Sequence, residues 1–276
     1  MNKISLEVFP PKKDDEFENL YAVLDKMASH NPESISVTYG AGGSRSKKTV
    51  EVASYIEDKL NIRAIAHLTC VGNKKTDIDR VLAEMDEAGI KNILALRGDR
   101  PTWMSDEEFF GRDFEHASDL ITYIKSKNPD IHISGACYPE KHYEAFDLAS
   151  DIRNLKLKVD AGAEDLISQL FFDNRVFYEF LDKTRAADIN VPVHAGIMPI
   201  TSKKQIESSI SLSGSSVPKA LSDLIARFGD SPEDMRKAGI DYAVNQIHDL
   251  LDNDVDGVHI YSMNKPVTTA EIVKNL

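Results

Sequence analysis

A closed (β/α)8 barrel is the fold class this sequence predicts, on three observations. Short β-branched runs alternate with longer amphipathic stretches from one end of the chain to the other. The β runs number about eight, the count that closes such a barrel. The 276 residues, 42% of them hydrophobic, suffice for one barrel-sized core. An open doubly wound sheet uses the same alternation with a different strand order, and the strand count favours the barrel over it.

The strands are expected at Ile4 to Phe9, Ser34 to Tyr39, Ala64 to Thr69, Asn92 to Arg97, His132 to Tyr138, Asp165 to Phe171, Val191 to Met198 and Gly257 to Ser262. Between them, Phe17, Leu20, Leu24 and Met27, and likewise Ile78, Val81, Leu82 and Met85, recur at the three-to-four spacing of a helix with one apolar face. Gly89 and Gly162 stand where the third and fifth helices should stop, each supplying a left-handed residue to close a helix. Ser208 to Ser216 reads as irregular, followed by helical patterns from Pro218 to Phe228 and Glu233 to Leu251. These make an expanded connection around residues 203–252, between the seventh and eighth strands. No linker or low-complexity tract divides the chain, so residues 1–276 are expected to form one domain.

Composition narrows the partners. With 33 Lys+Arg against 45 Asp+Glu the net charge is −12, and no basic cluster offers the counterion release on which nucleic-acid binding depends. Cys70 and Cys137 are too far apart for a CxxC pair, which points to a reducing compartment without disulfides. The chain opens without an apolar leader and has no run of 18 apolar residues. A soluble, cytoplasmic protein with neither membrane nor nucleic-acid partners is expected.

In a barrel of this kind, chemistry sits at the C-terminal ends of the strands. Those ends are polar here: Glu7, Thr38 and Tyr39, His67 and Thr69, Arg97-Gly98-Asp99, Tyr138, Gln169, and Tyr261 with Asn264. Glu7 alternates with Leu6 and Val8, so it points into the barrel when they face the helices. Desolvation there should raise its pKa and make it a proton donor, the alternative being a structural ion pair with an internal cation. Arg97-Gly98-Asp99 puts a cation, a flexible backbone and a carboxylate at one strand end, suited to a phosphate and a planar ring, although the triplet also occurs as a plain turn. Gly40-Ala41-Gly42-Gly43 lacks the third glycine of a dinucleotide fingerprint and the Lys-Ser/Thr of a P-loop, and reads as a flexible loop. The histidines, among them His67, His142, His194 and His259, show no metal-ligand spacing, so no metal is expected. Trp103 or Phe171-Phe172 could stack on a ring or pack in the core.

Seven ordered segments go further: Leu6-Glu7-Val8-Phe9-Pro10-Pro11, Ser36-Val37-Thr38-Tyr39-Gly40-Ala41, His67-Leu68-Thr69-Cys70, Leu96-Arg97-Gly98-Asp99, Tyr138-Pro139-Glu140, Lys158-Val159-Asp160-Ala161-Gly162-Ala163 and Gln169-Leu170-Phe171-Phe172-Asp173. Through them the chain resembles the methylenetetrahydrofolate reductase family, in its bacterial single-domain form, over essentially its full length. The resemblance implies a (β/α)8 flavoprotein that reduces 5,10-methylenetetrahydrofolate to 5-methyltetrahydrofolate. Hydride would pass from NADH or NADPH to FAD and then to folate in a ping-pong cycle. It implies Glu7 as the general acid that protonates N10 of the folate and opens its five-membered ring. Asp99 would be the carboxylate beside flavin and folate.

For FAD it implies Thr38, Tyr39 and Ala41; His67; Arg97, Gly98 and Asp99; Ala117; and Tyr138, His142, Ala145, Asp151, Asn154 and Lys158. For substrates it implies Glu7, Thr38, Asp99, Gln169, Gln205, Tyr261 and Lys265, and for assembly a homo-oligomer. Two positions depart from the family: Ser208-Ser209-Ile210 stands where some relatives carry a substrate-holding aromatic, and Lys265 stands where relatives carry Arg, exchanging a bidentate contact for a point charge. The rival readings are a flavin barrel of the proline dehydrogenase type, against which Glu7 and Phe9-Pro10-Pro11 argue, and a flavin-binding subunit without catalysis, for which an inward acid has no use.

Overall fold

A computed structural model of the chain describes residues 3–11, 13–39 and 45–276. Eight parallel strands follow one another around a closed barrel in sequence order. They are β1 (Ile4–Val8), β2 (Ser34–Val37), β3 (Arg63–Thr69), β4 (Asn92–Leu96), β5 (His132–Cys137), β6 (Asp165–Ser168), β7 (Val193–Ile197) and β8 (Gly257–Tyr261). Closure is made by β1, which pairs with β2 on one side and β8 on the other. The barrel expected from the alternation is therefore the fold, and the open sheet is not.

Around it run α1 (Phe17–Ala28), α2 (Arg45–Asp58), α3 (Lys75–Glu87), α4 (Asp106–Phe110), α5 (Ala117–Lys127), α6 (Leu148–Asp160), α7 (Asn174–Ala186), α8 (Lys203–Ser213), α9 (Lys219–Phe228), α10 (Pro232–Asp252) and α11 (Pro266–Val273). Leu20, Leu24 and Met27 of α1, and Ile78, Val81, Leu82 and Met85 of α3, are buried as their spacing required. They pack in one core with the outward-facing Leu6, Val8, Ile35 and Leu68 of the strands, all at 0% exposure. Each such side chain contributes on the order of 2 kcal/mol by leaving water. Inside the barrel, Ile65, Leu94 and Ile167 form a small separate apolar plug. Each lies two residues before His67, Leu96 or Gln169 on its own element, so the plug floors the mouth.

Gly89 and Gly162 follow α3 and α6 with φ of 68° and 117°, the left-handed region expected of them. The helix before Gly162 is the sixth because the short α4, capped by Ser105 accepting from the Glu108 N–H, precedes α5. The serine-rich stretch is also more ordered than its composition suggested. Residues 203–213 are α8, in which the Ser208 and Ser213 hydroxyls donate to the carbonyls of Lys204 and Ser209 four residues back. The strands end earlier than their hydrophobic runs. β6 stops at Ser168, since the Leu170 N–H turns to Gln169 Oε1 at 2.9 Å.

α10 crosses the end of β7 so closely that a Cβ on Gly239 would lie 1.7 Å from the Ile200 carbonyl oxygen. Gly239→Ala is expected to destabilise the chain by about 2 kcal/mol, read as a lower urea midpoint at unchanged slope. An unchanged midpoint would mean that the helix shifts freely. Among the described residues no helix is long and apolar enough to cross a membrane.

Candidate active site

Two cavities open at the C-terminal end of the barrel. The larger, of about 490 Å³, is lined by Glu7, Thr38, His67, Asp99, Gln169, Gln205 and Tyr261 among others. The smaller, of about 230 Å³, has Ala117, Ala145, Asp151, Asn154 and Lys158 in its wall. Leu96, Arg97, Ala136, Tyr138 and His142 belong to both, so the two adjoin along the ends of β4 and β5.

Register places Glu7 between Ser36 of β2 and Tyr261 of β8, with its side chain inside the barrel as strand parity required. Its Oε2 lies 3.4 Å from His67 Nε2, 3.7 Å from His259 Nε2 and 3.5 Å from the Ser36 hydroxyl. The Ser5 hydroxyl, which donates to the Val258 carbonyl, sits 2.7 Å from His259 Nδ1. That leaves Nε2 of His259 toward Glu7 and Ser36.

The electrostatics differ from expectation. Burial pushes the Glu7 carboxyl up, but the hydrogen bond from His259, the histidine charges and the Ser36 hydroxyl outweigh it, and the pKa lies below the usual carboxylate value. Burial pushes His67 down to about 4, against the pull of the Glu7 charge. His67 is therefore neutral at pH 7, and Glu7, held below the usual carboxylate value, is a carboxylate there. Among the described residues no Lys or Arg is paired with Glu7; its close partners are His67, His259 and Ser36.

Around Glu7, polar atoms face the same space. Gln169 Oε1 accepts from Leu170 N–H, which leaves its amide NH2 for the cavity. The Gln205 carbonyl accepts from the Thr201 N–H and hydroxyl at 3.1 and 3.0 Å, and its amide donates to the Pro199 carbonyl at 2.9 Å. The Tyr261 hydroxyl donates to the Ser168 carbonyl at 2.7 Å, and a Cβ on Gly196 would lie 2.1 Å from that same oxygen, so only glycine fits beside the ring. Gly98 turns the chain after β4 with φ of 81°, where a Cβ would lie 3.1 Å from the Thr69 side chain. Asp99, just beyond, lines the larger cavity and is exposed.

In the smaller cavity, the Lys158 ammonium donates to the Ala136 carbonyl at 2.7 Å and lies 5.7 Å from the Tyr138 ring centroid. Burial lowers its pKa. Asp151 accepts from the His142 N–H at 2.8 Å. Arg97 forms a bidentate pair with Glu144, which is held down to about 2 chiefly by that pairing.

Of the described residues that the resemblance implied for FAD or substrates, Tyr39 and Lys265 are in neither wall. Tyr39 donates to Asn73 at 3.2 Å, and Lys265 donates to the Thr201 hydroxyl at 3.2 Å. Ala41, with the Gly40–Gly43 loop, lies outside the described residues. Sequence reasoning missed His259 beside Glu7, the Glu144 partner of Arg97, and Tyr143 and Ser213 in the larger wall. His259 was within reach, because it alternates with Tyr261 along β8 as Glu7 does with Ser5; Glu144 and Tyr143 sit in a loop where no periodicity speaks.

Comparison with known proteins shows the family and the fold. The family described as Methylenetetrahydrofolate reductase matches residues 1–276. An Arabidopsis thaliana protein, "Methylenetetrahydrofolate reductase (NADH) 1", is 35% identical over 99% of the chain, which spans 48%, about half, of that relative's length. The "5,10-methylenetetrahydrofolate reductase" of Escherichia coli (strain K12) is 32% identical over 95% of the chain and 86% of its own length. Among solved structures, an uncharacterised protein from Clostridium thermocellum that binds two copies of 5-methyl-5,6,7,8-tetrahydrofolic acid superposes with a TM-score of 0.64 at 16% identity, over 99% of this chain and 93% of its own, a likeness of fold.

Proposed function

The chain belongs to the methylenetetrahydrofolate reductase family, and from that premise we propose that it reduces 5,10-methylenetetrahydrofolate to 5-methyltetrahydrofolate, taking hydride from NADH or NADPH by way of FAD in a ping-pong cycle. The observation that carries it is an inward carboxylate, Glu7, in a cavity of about 490 Å³ joined to a second lined by Arg97 and Lys158. A flavin dinucleotide suits this pair of cavities: the larger has room for a ring system, and the half-buried Lys158 ammonium and the Asn154 amide stand in the smaller, where a dinucleotide's far half would run. Ala117 and Ala145 keep that passage wide. When bound, the flavin supplies a hydride acceptor and donor.

The protein's own residues do the rest. Glu7 holds the proton that opens the folate ring. It is a carboxylate in the open cavity, and a planar substrate that expels water over it strengthens the burial effect and lifts its proton affinity. His259, fixed by Ser5, holds it in place. Asp99 stabilises positive charge that develops on the substrate. The Gln169 amide and the Gln205 side chain, the latter held by Thr201, orient the substrate; Thr38 and Tyr261 complete the wall. Lys265 keeps N–H groups free beyond Thr201 for a folate carboxylate at the rim. One catalytic domain in a homo-oligomer, in the cytoplasm where Cys70 and Cys137 stay reduced, completes the proposal.

The test is anaerobic absorbance of the FAD-loaded protein. NADH or NADPH should bleach the visible flavin band, and methylenetetrahydrofolate should restore it. Bleaching without recovery would remove folate as the substrate; no flavin band after reconstitution would remove the flavin.

A further inference from the structure

Three tyrosines line the larger cavity, and two are committed elsewhere. Tyr261 is half-buried, with its hydroxyl on Ser168 and its ring edge-on to His259. Tyr138 lies edge-on to His142 beside the Lys158 ammonium. Tyr143 differs: at 57% exposure it is the one ring in that wall, among the described residues, more than half open to solvent.

Tyr143 is nevertheless held in place. One face stacks on His142, ring centroids 4.5 Å apart and planes 28° from parallel. The His142 ring accepts from the Glu144 N–H at 3.2 Å, and the backbone N–H of His142 donates to Asp151. The Tyr143 hydroxyl bonds to Glu144, itself tied to Arg97. A ring fixed from behind and at its edge, with the other face open at the mouth, is a preorganised surface for a planar group. In the same cavity wall α8 contributes Ser208, Ser209 and Ser213, hydroxyls rather than rings.

We propose that Tyr143 is a stacking platform for the aminobenzoyl ring of a folate lying across this mouth, a proposal that rests on the folate reading above. Charge selects that ring over the phosphates of a nicotinamide dinucleotide. Glu144 and Asp99 both act on Tyr143, and the Arg97 guanidinium is already neutralised by Glu144, so the surroundings repel anions and tolerate a neutral aryl group. Tyr143 is also absent from the wall of the smaller cavity, which separates it from the dinucleotide's far half.

The test titrates 5-methyltetrahydrofolate calorimetrically into the oxidised, FAD-loaded protein and into Tyr143→Ala and Tyr143→Phe. Loss of the ring is expected to weaken folate binding about tenfold, while Phe binds as the wild type does and the affinities for FAD and for NADH or NADPH are unchanged. Wild-type folate affinity in Tyr143→Ala overturns the proposal. So does an equal loss for FAD or the nicotinamide, which would make the residue a support of the loop. A wild-type protein that binds no folate overturns the reading beneath it, and is told apart because the failure precedes any substitution.

Discussion

Replacing Glu7 with glutamine is expected to slow reduction of methylenetetrahydrofolate about a thousand-fold, because a positioned general acid contributes roughly that factor. Reduction of the flavin by NADH or NADPH should proceed as in the wild type, since that half-reaction moves a hydride and asks no proton of residue 7. Glutamine keeps the shape and can still bond to Ser36 and His259, so the folded barrel should be retained. The contrast is read by anaerobic stopped-flow of each half-reaction. Recovery of the flavin band by folate at the wild-type rate would show that the proton comes from elsewhere. Equal loss in both half-reactions would show that Glu7 shapes the cavity rather than donating a proton.

That Glu7 could be read from the sequence as pointing into the barrel follows from strand parity. In Ile4–Val8 the outward residues are Leu6 and Val8, fully buried against helices, and the alternation leaves Glu7 no direction but inward. The same local logic found the eight strands, the faces of α1 and α3 and the polar strand ends, because each depends on spacing within a few residues. Where partners come from distant elements it fails. The direction of the Glu7 pKa turns on His67 of β3 and His259 of β8, and nothing near residue 7 announces either. Arg97 was legible as a cation at a strand end, but its pairing with Glu144, 47 residues on, is a tertiary fact. Lys265 could be placed after β8, yet its turn toward Thr201, away from the cavity wall, is set by packing at the start of α11. Even α8 was hidden, since serine is a poor helix former until its hydroxyls bond back to the helix.

His67 gives the barrel a built-in sensitivity to acid. Its side chain is 6% exposed, and burial holds its pKa at about 4, against 6.5 in the unfolded chain. Between those values the unfolded chain binds a proton that the folded one refuses, so stability falls as pH falls through that window. The full effect is about 3 kcal/mol, at about 1.4 kcal/mol per unit. His132 acts in the opposite sense: its hydrogen bond to Asp165 raises its pKa, so it adds stability in acid that is lost as pH rises. Glu7, with a lowered pKa, adds a loss only below the ordinary carboxylate range. The wild-type curve is thus a sum, and the His67 part is isolated by comparison with His67→Gln, which cannot be protonated. Urea unfolding at neutral pH and near the bottom of the window should show the variant losing less stability than the wild type, by most of that difference. Parallel losses in the two proteins would mean that His67 is already charged in the folded barrel. The Glu7 carboxylate would then have a cationic partner, and the proton for folate would be shared between them instead of resting on Glu7 alone.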